Sequence, residues 1–175
     1  YLDDVGSGTA VDTTGSMDGT VNGITSTTGN WVEGSAGDGD GSSYIDITGS
    51  TSLDSLYGTN HAWAFSIQTT ATEGTIVGTT TNGMWFSINI GGEPRANRDA
   101  ADGAVQLTMR EHASGNVFTA EMNATVNDGN PHRVVVNKTG ENTVEFYLDQ
   151  SSVGTSYADQ QGSINNSGES ADILT

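Results

Sequence analysis

Apolar and polar residues alternate along the segment Val144–Leu148 of this chain. Its three apolar side chains fall on one face of an extended backbone, whereas Glu145 and Tyr147 fall on the other. A period of two residues is typical of a half-buried antiparallel β-strand. The preceding segment His132–Val136 reads as a second strand. We therefore predict two strands joined by a short polar turn, with a further turn opening at Asp149.

Other short segments with the same pattern predict an all-β chain. They occupy residues 44–47, 63–67, 75–78, 84–90, 105–109 and 117–122. No window of about 11 to 18 residues shows the apolar period of a helix. The 24 glycines and 2 prolines fit many short strands with glycine-rich turns. The predicted architecture is two antiparallel sheets packed as a β-sandwich, with roughly a dozen strands.

A length of 175 residues fits one well-packed domain, and no linker-like stretch divides the chain. We therefore treat residues 1–175 as a single domain. No apolar run approaches the length of a transmembrane helix, and no signal-peptide pattern opens the sequence. Because strand-like sequence begins at Tyr1, we expect a mature, processed or excised form that does not insert into a membrane.

The net charge limits the classes of molecule that this chain is expected to bind. Asp and Glu number 22, Lys and Arg number 5, and the formal net charge is -17. A surface of this sign repels phosphate backbones and anionic lipids, so nucleic acid is not an expected partner. Acidic excess with a single lysine is typical of proteins that work at high salt, where the Debye length falls to about 3 Å at 1 M. We hypothesise a high-salt source.

The chain has no cysteine, which excludes disulfides and thiolate metal sites. Asn-x-Ser/Thr sequons begin at Asn123, Asn137 and Asn165. Glycosylation at any of them would place the chain outside the cell. Chance is the alternative explanation, because the sequence is rich in Thr and Asn.

Motifs along most of the chain resemble those of one known superfamily. The strands within Asp128–Gly154 resemble the "DG-x-W-H-x-V" and "V-x-L-Y-V-D-G" strands of laminin-G-like domains, in the concanavalin A-like jelly-roll superfamily. The family's opening pattern is matched by Gly8, Asp12, Gly15, Gly19 and Thr20, and a later strand entry by Tyr44, Ile45 and Ile47. The resemblance implies a jelly-roll β-sandwich that binds sugars or proteins and seldom catalyses.

One part of the family pattern is missing. Family members usually end on a "G-x-I-D-x-V-x-I-Y" strand, whereas this sequence ends at Ala171–Thr175, which resembles the strand before it. We therefore expect a sheet edge without its C-terminal strand. An unpaired edge invites pairing with another chain. A neighbouring subunit or domain, or further chain, would complete it.

The sequence lacks the residues of a catalytic site. Glycosidases of this superfamily carry paired carboxylates on one strand as "E-x-D-x-x-E", a spacing that suits acid and nucleophile roles. Glu145 and Asp149 are four residues apart, but Asp149 lies in a predicted turn, and Glu121 has no second carboxylate beside it. The three histidines show no metal-ligand spacing, and no serine lies in a G-x-S-x-G elbow. We therefore predict that the chain is not an enzyme.

Calcium is the cofactor that the sequence allows. Residues 37–41, GDGDG, offer two carboxylates beside exposed carbonyls, and calcium takes oxygen ligands of these kinds. Many domains of the resembled superfamily hold a structural calcium near their strand ends. The candidate ligands are Asp12, Asp38 and Asp40. An acidic, solvated turn is the alternative interpretation.

Aromatic and arginine residues are the candidates for ligand binding. An exposed aromatic ring stacks on the apolar face of a sugar, a role open to Trp85, Tyr57 or Tyr157. Arg95 and Arg98 share one loop and could bind a carboxylated or sulfated glycan. Core packing is the alternative for Trp85, and local ion pairs are the alternative for the two arginines.

These observations favour a non-catalytic recognition module, extracellular or on a cell or virion surface, that binds a glycan or a surface protein. The alternative is a structural building block, such as a capsid decoration, tail-fibre or surface-filament subunit, which self-assembles through its open sheet edge. A glycoside hydrolase is least favoured because the carboxylate pair is absent.

Overall fold

The computed structural model describes residues 2–3, 8–12, 18–27, 36–38, 42–46, 60–78, 85–92, 100–110, 117–140 and 142–160. These residues contain strands, turns and bends, and no helix. The strands are β1 (Leu2–Asp3), β2 (Thr9–Asp12), β3 (Gly19–Asn22), β4 (Thr25–Thr27), β5 (Ala36–Asp38), β6 (Tyr44–Asp46), β7 (His61–Gln68), β8 (Gly74–Gly78), β9 (Trp85–Ile90), β10 (Ala104–Arg110), β11 (Val117–Thr125), β12 (Pro131–Gly140), β13 (Thr143–Leu148), β14 (Ser151–Val153) and β15 (Thr155–Gln160).

The strands form antiparallel sheets that confirm the predicted all-β class. A five-stranded sheet has the order β15-β11-β10-β9-β8, and a four-stranded sheet has the order β14-β13-β12-β7. The N-terminal half adds a sheet of order β1-β2-β3-β6 and the pair β4-β5. One apolar core takes side chains from both larger sheets, as a β-sandwich requires. The jelly-roll connection order stays a prediction.

The core follows from the alternation in the central strands. Each strand directs every second side chain to the same face. The five-stranded sheet contributes Ile88, Ile90, Val105, Leu107, Met109, Phe118, Ala120 and Met122. The four-stranded sheet contributes Val134, Val136, Val144 and Phe146. Half-buried side chains of β7 and β8 pack against this core, which therefore reaches the edge strands.

Strand β12 extends to Gly140, beyond the predicted end at Val136, and it forms the predicted hairpin with β13. Antiparallel pairing continues through Lys138, which lies opposite Val144 on one side and His61 on the other. Lys138 is 2% exposed and shares the core-facing side of β12 with Val136. The polar residues after Val136 had indicated that the strand ends there. Lysine nonetheless suits a strand position, because its side chain has a long apolar stem.

The chain after Leu148 forms strands β14 and β15, which the alternation did not predict. The predicted turn at Asp149 is present, with positive φ of 50° at Asp149 and 70° at Gln150, as a two-residue hairpin of type I′ requires. Strand β15 then pairs with β11 at the edge of the other sheet. The segment Ala171–Thr175, on which the expectation of a missing C-terminal strand depends, lies outside the described residues.

One side of the sandwich is held by side chains of β15. The hydroxyl of Tyr157 accepts a hydrogen bond from Val144 N and donates one to Val144 O, both at 3.2 Å. Thr155 Oγ1 donates to the same carbonyl at 3.1 Å. These bonds cross from one sheet to the other. They also occupy the edge of β13 where β14 does not reach it.

Candidate ligand-binding face

The five-stranded sheet has a second face, opposite the apolar core, that is lined by polar side chains. In β9 and β10, Ser87, Asn89, Gln106 and Thr108 alternate with core residues. Residues that lie opposite each other on neighbouring strands share a face, so the polar face also includes residues of β11 and β15. We define the polar face as Ser87, Asn89, Gln106, Thr108, Thr119, Glu121, Asn123 and Ser156.

Register places four members of the polar face in one row across the sheet. Asn89 lies opposite Gln106, Gln106 lies opposite Glu121, and Glu121 lies opposite Ser156. The first two side chains are buried, Glu121 is half-buried, and Ser156 is exposed. The row thus runs from the interior of the molecule to solvent at the β15 edge.

Hydrogen bonds inside the polar face leave two buried atoms without partners. Thr108 Oγ1 donates to Gln106 Oε1 at 3.1 Å, a bond between neighbours on one strand. Gln106 Nε2 and Thr119 Oγ1 have no hydrogen-bond partner among the described residues, although both side chains are 0% exposed. A buried polar group without a partner costs about 1–3 kcal/mol. Both buried atoms therefore have unused hydrogen-bonding capacity, which an ordered water or a ligand that enters the interior would satisfy.

The open end of the polar face consists of Glu121, Asn123 and Ser156. Ser156 Oγ donates to Asn123 Oδ1 at 2.6 Å, and Glu121 Oε1 accepts from the backbone N of Ala101 at 3.1 Å. Carboxylate, carboxamide and hydroxyl groups of this kind orient the hydroxyls of a bound ligand. Arg110, half-buried, continues the same face at the far end of β10.

The described residues do not test the predicted ligand-binding residues. Trp85 begins β9 opposite Arg110, and nothing in the described residues gives the position of its indole ring. Tyr57, Arg95 and Arg98 lie outside the described residues. The roles proposed for these four side chains stay predictions.

Two of the predicted calcium ligands lie at strand ends. Asp12 ends β2, opposite Leu2, and Asp38 ends β5, opposite Thr25, where the sequence had indicated a loop. Asp40 lies outside the described residues. In the described ranges, no group of three or more His, Asp or Glu side chains could hold a metal ion. The calcium site stays a prediction.

Two of the three sequons are described, and their asparagines differ in environment. Asn123 is exposed on β11 at the open end of the polar face. Asn137 is half-buried in the central strand β12, where its Nδ2 donates to Glu145 Oε2 at 3.3 Å. Asn165 lies outside the described residues. Asn123 is thus the more accessible acceptor of the two.

A second polar cluster surrounds His132. Its Nδ1 lies 2.8 Å from Asp149 Oδ2, and its Nε2 lies 2.9 Å from Asp128 Oδ1. The hydrogen bond to Asp149, followed by that to Asp128, raises the pKa of His132 against the opposing effect of burial. We call His132, Asp128 and Asp149 the His132 cluster. The family-like hairpin contained all three residues, but their contacts depend on the turn geometry.

Hydrogen bonds also lower the pKa of both carboxylates in the His132 cluster. Bonds from the side chain and backbone of Asn130, and then from His132, lower the pKa of Asp128 to about 2. The backbone N of Arg133 donates to Asp149 Oδ1 at 2.9 Å, and this bond is the main cause of the lowered pKa of Asp149. The contacts therefore favour ionised carboxylates and a protonated imidazole in this cluster.

A scan against protein-family models gave no match for this chain, and a search of curated proteins gave none either. Among the described residues there is no helix long and apolar enough to cross a membrane.

Proposed function

We propose that this chain is a non-catalytic recognition module, extracellular or on a cell or virion surface, that binds a glycan along the polar face. The observation that carries the proposal is the pair of buried atoms, Gln106 Nε2 and Thr119 Oγ1, that lack partners among the described residues. Sugar hydroxyls donate and accept hydrogen bonds, so they complement both a carboxamide donor and a hydroxyl group.

The chemistry of the polar face argues for a binding role over a packing role. An apolar residue at Thr119 would remove an unpaired group from the interior, and such a replacement is near neutral or stabilising. Unpaired buried groups are uncommon in native proteins, and each calls for an explanation such as an ordered water or a function. A bound ligand would satisfy both atoms.

A ligand from solvent would first contact the polar face at its open end. Glu121, Asn123 and Ser156 continue the buried row to the exposed β15 edge. A ligand that bonds these three residues at the edge would extend toward Gln106, the cross-strand neighbour of Glu121. This arrangement supports an elongated, hydroxyl-rich ligand over a compact one.

Sequence features support the surface location and the absence of catalysis. The likeness to laminin-G-like domains, in a jelly-roll superfamily rich in sugar- and protein-binding members, favours recognition. The sequence holds no "E-x-D-x-x-E" motif. A glycosidase would need two carboxyl groups about 5–9.5 Å apart.

A glycan array at high salt, followed by titration calorimetry, tests the proposal. We expect saturable binding of at least one glycan, competed by the free sugar, and a loss of affinity of about tenfold or more in Gln106→Met. Ser66→Ala, on the exposed outer side of β7, is the matched control and keeps wild-type affinity. Unchanged affinity in a folded Gln106→Met variant would count against the polar face as the site.

A further inference from the structure

Three segments meet at one end of the sandwich, away from the polar face. They are the end of β7, the loop 127–130 and the turn that joins β13 to β14. Gln68 Nε2 donates to Gly129 O at 2.9 Å, and Gly129 N donates to Thr69 O at 3.0 Å. These bonds fasten the loop to β7. The turn is fastened separately, because Asp149 N donates to Arg133 O at 2.9 Å.

His132 joins the loop to the turn through its two ring nitrogens. One nitrogen contacts Asp128 of the loop and the other contacts Asp149 of the turn. The His132 side chain is only 13% exposed, whereas the two carboxylates are about half exposed. A carboxylate accepts hydrogen bonds and donates none when ionised, so both contacts are hydrogen bonds only when both ring nitrogens carry a proton.

The turn has a backbone conformation that depends on outside support. Asp149 and Gln150 both have positive φ, a region that residues other than glycine seldom adopt. The Asp149 carboxylate supplies the support through two bonds, from the backbone N of Arg133 and from His132 Nδ1. Loss of one bond leaves the strained turn with a weaker anchor.

We propose that the His132 cluster is a pH-operated latch, in which deprotonation of the imidazolium releases the loop 127–130 and the turn Asp149–Gln150 from each other. The charged groups that face the ring are Asp128 from the loop and Asp149 from the turn. On β7 the residue opposite His132 is Ile67, which carries no charge. The apolar core lies between the sheets and does not depend on this bond, so the sandwich stays folded when the latch opens.

The sign of the effect follows from linkage. The partners raise the pKa of His132 above its ordinary value of 6.5, so the latch is closed below that pH. As pH rises through the raised pKa, His132 loses its proton. The closed form is then no longer stabilised relative to the open form. Between the pKa of the released and of the latched histidine, the opening constant grows by up to about tenfold for each pH unit. The latch therefore opens on the alkaline side.

Amide hydrogen exchange by NMR at pH 5.5 and pH 9, corrected for intrinsic rates, tests the latch. We expect the amides of Arg133, Asp149 and Gly129 to lose protection at pH 9, while amides of β10 keep theirs. Equal protection of the three amides at both pH values would overturn the proposal.

Two variants and one titration separate the latch from ordinary packing. His132→Gln removes the titrating group, so the pH dependence of the three amides should vanish; its persistence would overturn the proposal. His61→Gln, at another histidine on the core side of a strand, should keep the wild-type pH dependence. If His132→Gln fails to fold, direct NMR titration of the His132 ring in the wild type decides, and a pKa at or below 6.5 rejects the latch.

Discussion

Thr119 and Thr108 lie opposite each other on the polar face, yet their hydroxyls differ in partners. Thr108 Oγ1 donates to Gln106, whereas Thr119 Oγ1 has no partner among the described residues. Both side chains are buried. The same Thr→Val substitution therefore removes a hydrogen bond at Thr108 but none at Thr119.

We expect Thr119→Val to leave the free energy of unfolding unchanged or to raise it by about 1 kcal/mol, because an unpaired buried hydroxyl is removed. Thr108→Val is the matched control and should lower it by about 1 kcal/mol, because Gln106 Oε1 loses its donor. Urea denaturation measures both values. The interpretation of Thr119 fails if both variants are destabilised equally.

The His132 cluster gives the stability of the whole molecule a defined pH dependence. The contribution of His132 is complete below pH 6.5 and is lost as pH rises through its raised pKa. The contribution of Asp128 is complete above 3.8 and is lost as pH falls toward 2. We expect the highest unfolding free energy between about pH 4 and 6.5, with a shallow acid limb because the carboxylates are exposed.

Urea denaturation from pH 2 to pH 9 measures that profile. His132→Gln should flatten the alkaline limb, whereas Asp128→Asn should flatten part of the acid limb. An alkaline limb that is as steep in His132→Gln as in the wild type would assign the pH dependence to other groups.

At the scale of elements, the sequence predicted strands wherever apolar residues alternate. Strand β7 and strands β9 to β13 follow such runs, and the core lies where the alternation placed it. Strands β2 to β5 consist largely of Thr, Gly, Asp and Ser, so no apolar period marked them. They are short strands defined by pairing with distant segments, which a local pattern does not encode.

Tyr157 of β15 packs between the two sheets, although an exposed tyrosine is also a candidate for sugar binding. Tyr157 is 40% exposed, and exposed aromatic rings are candidates for sugar stacking. Its hydroxyl, however, bonds both backbone groups of Val144 in the other sheet, and its ring contacts Phe118 at 5.8 Å between centroids. The residue therefore joins the sheets.

We expect Tyr157→Phe to lower the free energy of unfolding by about 1–3 kcal/mol, since it removes the hydroxyl that pairs with Val144 N and O. Tyr147→Phe is the matched control, because the Tyr147 hydroxyl bonds the exposed carboxylate of Glu145. That variant should change stability by less than about 0.5 kcal/mol. Thermal denaturation compares the two variants, and equal losses would argue against a joint between the sheets at Tyr157.

At the scale of the whole molecule, the net charge of -17 is the dominant electrostatic fact. Like charges repel more strongly in the compact state than in the unfolded chain, and salt screens that repulsion. We expect the melting temperature to rise as KCl increases from 0.1 M to 2 M. Calorimetry with KCl avoids sulfate, which stabilises apolar burial by exclusion. A melting temperature that is flat or falls with KCl would reject the high-salt hypothesis.

The sequence specified the sandwich more fully than it specified the site. Alternation marked Gln106 and Thr119 as non-core positions on their strands, but it gave no register between strands. The polar face exists because pairing aligns Asn89, Gln106 and Glu121 in one row. Such long-range alignment depends on turn lengths and bulges, for example the bulge between Ala104 and Gln106.

If the polar face binds a glycan, a paired measurement of affinity and stability on Thr119→Val will separate binding from folding. Titration calorimetry with the glycan selected on the array gives the affinity, and urea denaturation of the same sample gives the stability. We expect affinity to fall by about tenfold or more, while stability is unchanged or higher, because the hydroxyl serves a ligand and not the fold. Wild-type affinity in Thr119→Val, or a loss of affinity that only parallels a loss of stability, would contradict the account.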